Sequence, residues 1–131
     1  MLAGAPIKQR RREYHTLPHG PLSELRACQS LLQQAMVRLL KLHAWPGSRA
    51  VGYWRDEVGA FLDDAARRFT PSMRQRISLD NLYAAARRRP GAATDAAGAP
   101  RSLPDACPFG LDDLLAGDLA ELTAKLGGSP A

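Results

Sequence analysis

A chain of 131 residues can bury one hydrophobic core and not two. Its composition is 45% hydrophobic, but Ala supplies 22 of those residues and only eight residues are aromatic, so the core is expected to be thin and Leu-dominated. The net charge of +5 is held unevenly: residues 1–90 carry 16 Lys or Arg against 7 acids, whereas residues 91–131 carry 2 against 6.

No apolar run is long enough to cross a bilayer, and the start "MLAGAPIKQRRREYH" has no apolar stretch ending in a cleavage site. Cys28 and Cys107 are too few for a disulfide scaffold. The expectation is a cytoplasmic protein with two free, buried thiols and no membrane contact. Scarce β-branched and aromatic residues favour helices over strands.

Residues 1–20, basic and punctuated by Pro6, Pro18 and Gly20, read as a flexible arm. From Pro21 the pattern changes. Leu22, Leu25, Cys28, Leu32, Ala35, Met36, Leu39 and Leu40 recur at steps of three and four, which predicts a core-facing helix through His43, ended by Pro46-Gly47. Ser48 is placed to cap a second helix with Val51, Trp54, Val58, Phe61, Leu62, Ala65, Ala66 and Phe69 on its apolar face. That face is the most aromatic in the chain and is expected at the centre of the core. Ser72, with Gln75 three residues on, predicts the start of a third helix running to about Arg89.

The tract "PGAATDAAGAPR", residues 90–101, has too little apolar bulk to pack and reads as a linker. A last helix is predicted from Leu111, with Leu114, Leu115, Leu119, Leu122 and Leu126 on one face, stopped by Gly127-Gly128 before a disordered tail at 127–131. The fold class expected is all-α: a compact three-helix bundle in a single domain over 21–126, with a C-terminal helix docked after the linker.

Between linker and last helix lies "LPDACPFG". Two prolines stiffen it, and Leu103, Cys107 and Phe109 offer three apolar anchors along an extended strip. Such a strip can lie in a groove between helices and set the entry of the helix that follows.

These residues also carry a resemblance. "LPDACPFGLDDLL" resembles the C-terminal signature of the bacterial domain-of-unknown-function 29 family, which typically reads Leu-Pro-Glu-x-Cys-Pro-Tyr-Thr-Leu-Glu-x-Leu-Leu. "VRLLKLHAWPGSRAVGYW" is similar to the family's His-Leu-Leu-Lys-Trp segment and the Pro, Arg and Trp beyond it, at Leu39, Leu40, Lys41, Pro46, Arg49 and Trp54. "TPSMRQRI" resembles its Ser-Pro-Ser-Leu turn, and "LYAAARR" its Tyr-x-x-Ala-Arg helix at Tyr83, Ala86 and Arg87. The resemblance spans about residues 31–119 and implies an all-α fold without implying an activity. The family usually begins with a further acidic helical pair, which "MLAGAPIKQRRREYHTLPHG" replaces here, and its usual His is Arg38. Loss of that pair predicts that part of the first helix's apolar stripe faces solvent and calls for a protein partner or self-association.

No motif for catalysis stands out. His15, His19, His43, Cys28 and Cys107 lack metal-ligand spacing. The carboxylate pairs Asp56-Glu57, Asp63-Asp64 and Asp112-Asp113 are adjacent in sequence and diverge on a helix. The expectation is therefore no enzyme, no cofactor and no small-molecule substrate, but a protein-interaction module with Arg49, Trp54, Leu103, Cys107 and Phe109 as docking residues. The alternative is a nucleic-acid-binding protein, with Arg10, Arg11 and Arg12 as a basic arm and Arg67, Arg68, Arg87, Arg88 and Arg89 on a phosphate-contacting face. Against that alternative, no helix–turn–helix spacing or interleaved aromatic series accompanies the arginines.

Overall fold

A computed structural model of the protein describes residues 21–88 and 98–127. The arm at 1–20, most of the linker and the tail beyond 127 lie outside the described residues, and with them Arg10, Arg11, Arg12 and Arg89. Among the described residues the architecture is all-α, and its helices are α1 (Pro21–Ala44), α2 (Val51–Arg68), α3 (Leu79–Arg87), α4 (Leu111–Ala116) and α5 (Leu119–Leu126), with a short 3-10 turn at Pro71–Met73.

The long helix α1 is the axis of the fold. Cys28, Leu32, Ala35, Met36 and Leu39 are fully buried, and so are Leu25 and Leu40 to their flanks. At 100° per residue, its buried positions from Leu25 to Ala44 cover an arc of about 200°, twice the stripe of a helix packed on one side. Helices α2 and α3 cover one part of that arc and α5 another. The uncovered stripe expected of this helix is therefore not found among the described residues. Leu22, 51% exposed, is the one large apolar side chain of α1 left in water there.

The aromatic face of α2 departs from expectation. Trp54, Val58, Leu62 and Ala65 are buried, but Ala66 is exposed, and Phe61 and Phe69 are only half-buried and lie at the rim. Each is roofed by a guanidinium, Arg38 over Phe61 at 5.4 Å and Arg74 over Phe69 at 5.6 Å. The core is built around the leucines of α1, which present more buried surface because they are wrapped from two sides. Ser48 does work at the start of α2, although two residues early: its Oγ accepts from Ala50 N at 3.0 Å, and its carbonyl accepts from Val51 N at 3.3 Å.

Two predicted elements are corrected. The third helix starts at Leu79, with Ser78 rather than Ser72 as its cap, its Oγ accepting from Asn81 N at 3.3 Å. A continuous helix from Ser72 would put Met73 and Ile77 on one side and Leu79, Leu82, Tyr83 and Ala86 on the other. The 3-10 turn and the bend after it let both sets reach the core, Met73 at 4% exposure and Tyr83 at 2%.

The C-terminal helix is two helices, broken at Gly117, whose φ of +69° is left-handed. Asp118 caps α5, its Oδ1 accepting from Glu121 N at 3.3 Å. A Cβ at Gly117 would meet nothing within 4 Å, so its cost is in the backbone alone. Gly117→Ala is expected to lower stability by about 1–2 kcal/mol in denaturant titration, whereas Ala116→Gly, at an exposed helix end, costs less than that.

Candidate functional site

Residues 98–110 run without regular structure from Gly98 to the cap of α4. Pro100, Pro104 and Pro108 stiffen this strip, which bends at Ala99 and again at Asp105 and Ala106. It is pinned to the end of α1 and to α3 at successive points. Arg101 N donates to Ala44 O at 3.0 Å, the His43 Nε2 lies 3.2 Å from Ser102 O, and the Tyr83 hydroxyl donates to Pro104 O at 2.6 Å. Arg87 pairs with Asp105 at 2.9 Å and Arg74 with Asp112 at 2.9 Å. The Asp105 side chain is 98% exposed, so that pair adds little to stability.

The strip is held by burial and by the tyrosine instead. Phe109 is 5% exposed, Leu103 and Cys107 are half-buried against the core, and burial raises the Tyr83 hydroxyl pKa, keeping it a donor. Gly110 N donates to Asp113 Oδ2 at 2.8 Å and fixes the turn into α4. The three anchors read from the sequence thus dock in cis on the chain's own bundle.

Beside this strip an open groove of about 780 Å³ runs along the end of α1. Trp45, Pro100, Leu103 and Pro104 give it an apolar lining, and its charged groups are Arg87, Arg101 and Asp105. Trp45, 7% exposed, is seated there because its N donates to Lys41 O at 2.9 Å, which carries α1's last turn one residue on. Neither Trp45 nor Arg101 was marked by spacing or periodicity. The signal present was an aromatic residue directly before the Pro46-Gly47 stop.

The other sequence candidates are scattered. Trp54 is a core residue, 6% exposed, with Lys41 Nζ 5.6 Å over its ring. Arg49 stands exposed in the turn between α1 and α2. Of the basic face, Arg67 pairs with Asp63 at 2.9 Å and Arg68 with both Asp64 and Glu24 at 3.3 Å. Arg88 is exposed one turn beyond Tyr83. These pairs neutralise much of the field a phosphate backbone would meet.

The thiols are unsuited to nucleophilic work, since burial pushes both Cys28 and Cys107 above the ordinary value of 9.0. Glu57 moves the other way. The Arg38 guanidinium donates to it at 2.8 Å and holds its carboxyl below the ordinary 4.5. A depressed folded pKa contributes stability that is present above the unfolded value and is lost as pH falls through the folded one. Glu57→Gln is expected to cost about 1 kcal/mol at neutral pH. That difference should shrink once the pH falls below the ordinary glutamate value and through the lower folded one, measured by urea midpoints along a pH series.

The family model of the domain of unknown function DUF29 matches residues 21–120, from the start of α1 into α5. No curated protein and no solved structure shows a match to the chain. Among the described residues no helix is long and apolar enough to cross a membrane.

Proposed function

This chain belongs to the family of the domain of unknown function DUF29, and we propose that within that fold it acts as a non-catalytic protein-interaction module whose groove beside the docked strip receives an extended segment of a partner protein. The observation that carries this reading is the groove itself. It is an open channel of about 780 Å³ whose apolar lining is partly supplied by a strip already pinned to the bundle, so that little ordering entropy is lost on the receiving side. The raised thiol pKa values and the divergent carboxylate pairs favour binding over chemistry. The nucleic-acid alternative has weaker support, because Arg67, Arg68 and Arg87 are already paired with carboxylates.

The test is a random peptide library panned on the immobilised full chain, followed by fluorescence anisotropy of the recovered peptides. Ser102 is exposed and lines the groove. Ser102→Tyr fills the channel without touching the core, and is expected to weaken binding by about tenfold or more at an unchanged unfolding midpoint. Ala60→Tyr, on the exposed face of α2, should leave binding as it was. Recovery of no peptide, or equal binding by Ser102→Tyr, would sink the reading.

A further inference from the structure

The end of the groove opens a question about charge. A second cavity, of about 270 Å³, lies where the end of α1, the start of α2 and the end of α5 meet. Its apolar lining includes Leu42, Pro46 and Val51, and its polar lining includes His43, Arg55 and Arg101. No acidic residue lines it. Arg101 borders both this cavity and the groove, and its backbone is fixed by the bond to Ala44 O, so the two are neighbours across one side chain.

Among the described residues the two arginines here belong to the unpaired group on the bundle, together with Arg26, Arg76 and Arg88, but they alone border one cavity. Arg38, Arg67, Arg68, Arg74 and Arg87 each have a carboxylate within 4.0 Å, whereas among the described residues neither Arg55 nor Arg101 has one. Helix α2 has no acidic residue in its first turn, and the C-terminal ends of α1 and α5, at His43 and Gly127, line the same cavity and offset its dipole, so the charge here is that of the side chains. Two guanidiniums and a histidine around one cavity with no acidic residue in its lining form a site complementary to an anion.

We infer that the partner segment is acidic, and that a carboxylate side chain of it occupies this cavity between Arg55 and Arg101 while its neighbouring residues lie in the groove. This rests on the groove reading above and adds to it the chemistry of the partner: an extended, Asp- or Glu-bearing peptide. The adjoining cations set which segment binds and in which direction it lies, since the carboxylate can be placed only at the α2 end.

The test uses two peptide libraries on the same apolar frame, one with Asp or Glu at every second position and the other with Asn or Gln there. Panning on the full chain is expected to enrich the acidic library. Its recovered peptides should lose about tenfold in affinity to Arg55→Gln and again to Arg101→Gln, with unfolding midpoints unchanged because both side chains are exposed. Equal enrichment of the amide library would overturn the acidic partner and leave the groove reading standing. Retention of neither library would remove both. Displacement of the acidic peptides by a DNA or RNA duplex at equal charge concentration, dependent on Arg55 and Arg101, would make the ligand a nucleic acid and overturn the inference.

Discussion

Phe109→Ala is expected to lower the unfolding free energy by about 3 kcal/mol, the largest loss of any change in the docked strip. Phe109 is 5% exposed at the point where the strip turns into α4, and no other side chain between Leu103 and Leu111 is as deeply buried. The loss should not fall evenly. Residues 98–126 contribute Leu114, Leu122 and Leu126 to the common core, but they reach the bundle from outside, along the strip, while α1 and α2 pack on each other over most of their length. Hydrogen exchange should therefore show the amides of α4 and α5 opening together, well before those of α1 and α2. Adding Cys107→Ser to Phe109→Ala should enlarge that opening, since Cys107 is itself half-buried in the strip. Uniform loss of protection through all five helices would mean that strip and bundle are one cooperative unit, and that the anchors do not act as a clip.

Trp54→Ala is the second large effect, expected at about 3–5 kcal/mol, because the indole is buried beside Val58 on the inward face of α2. The consequence matters for any binding assay. Peptide affinity measured on this variant should fall only in proportion to its unfolded fraction, and should be restored by conditions that refold it, such as a stabilising osmolyte. Ser102→Tyr should instead lose affinity while fully folded. A Trp54→Ala variant that kept its stability and lost binding would place the tryptophan in the interface after all. Lys41→Ala, which removes the ammonium 5.6 Å above the same ring, should cost only about 0.5–1 kcal/mol.

What the sequence made legible follows from where a single period holds. The stripe of α1 runs unbroken for six turns, so its helix could be read directly, and so could the apolar face of α2. The break at Gly117 was hidden because Leu114, Leu115, Leu119, Leu122 and Leu126 keep helical spacing across it. Asp118 followed three residues later by Glu121 was the countersignal, a cap in the middle of an apparently continuous stripe. At the third helix the period was mixed. Met73 and Ile77 belong to a turn with a different phase from Leu79, Leu82 and Tyr83, and the capping pattern at Ser72 outweighed that mismatch.

For the site, the prolines and anchors of the strip announced a docked segment, and the strip is docked. Its partners were not legible, because the bond from Tyr83 to Pro104 and the closeness of Arg101 to Ala44 join residues 21 and 57 apart in sequence. No local pattern encodes such pairs. Trp45, Arg55 and Arg101 share a surface only after α1, α2 and the strip have been brought together.

The two-sided burial of α1 sets a schedule for the chain as it is made. Helices α1, α2 and α3 can close on one another as soon as residue 88 has emerged, but α5, which covers another part of the apolar arc, ends at Leu126. At synthesis rates of about 5–20 residues per second that interval lasts roughly 2–8 s, far longer than the collapse of the helices already present. During it, leucines that end fully buried face water on a nascent chain. That is a window for a holdase to bind, and for neighbouring copies on a polysome to meet through the same surface. Holding the nascent chain with residue 88 out and residues 98–126 still inside the exit tunnel should therefore raise the aggregated fraction, although it leaves the finished fold unchanged.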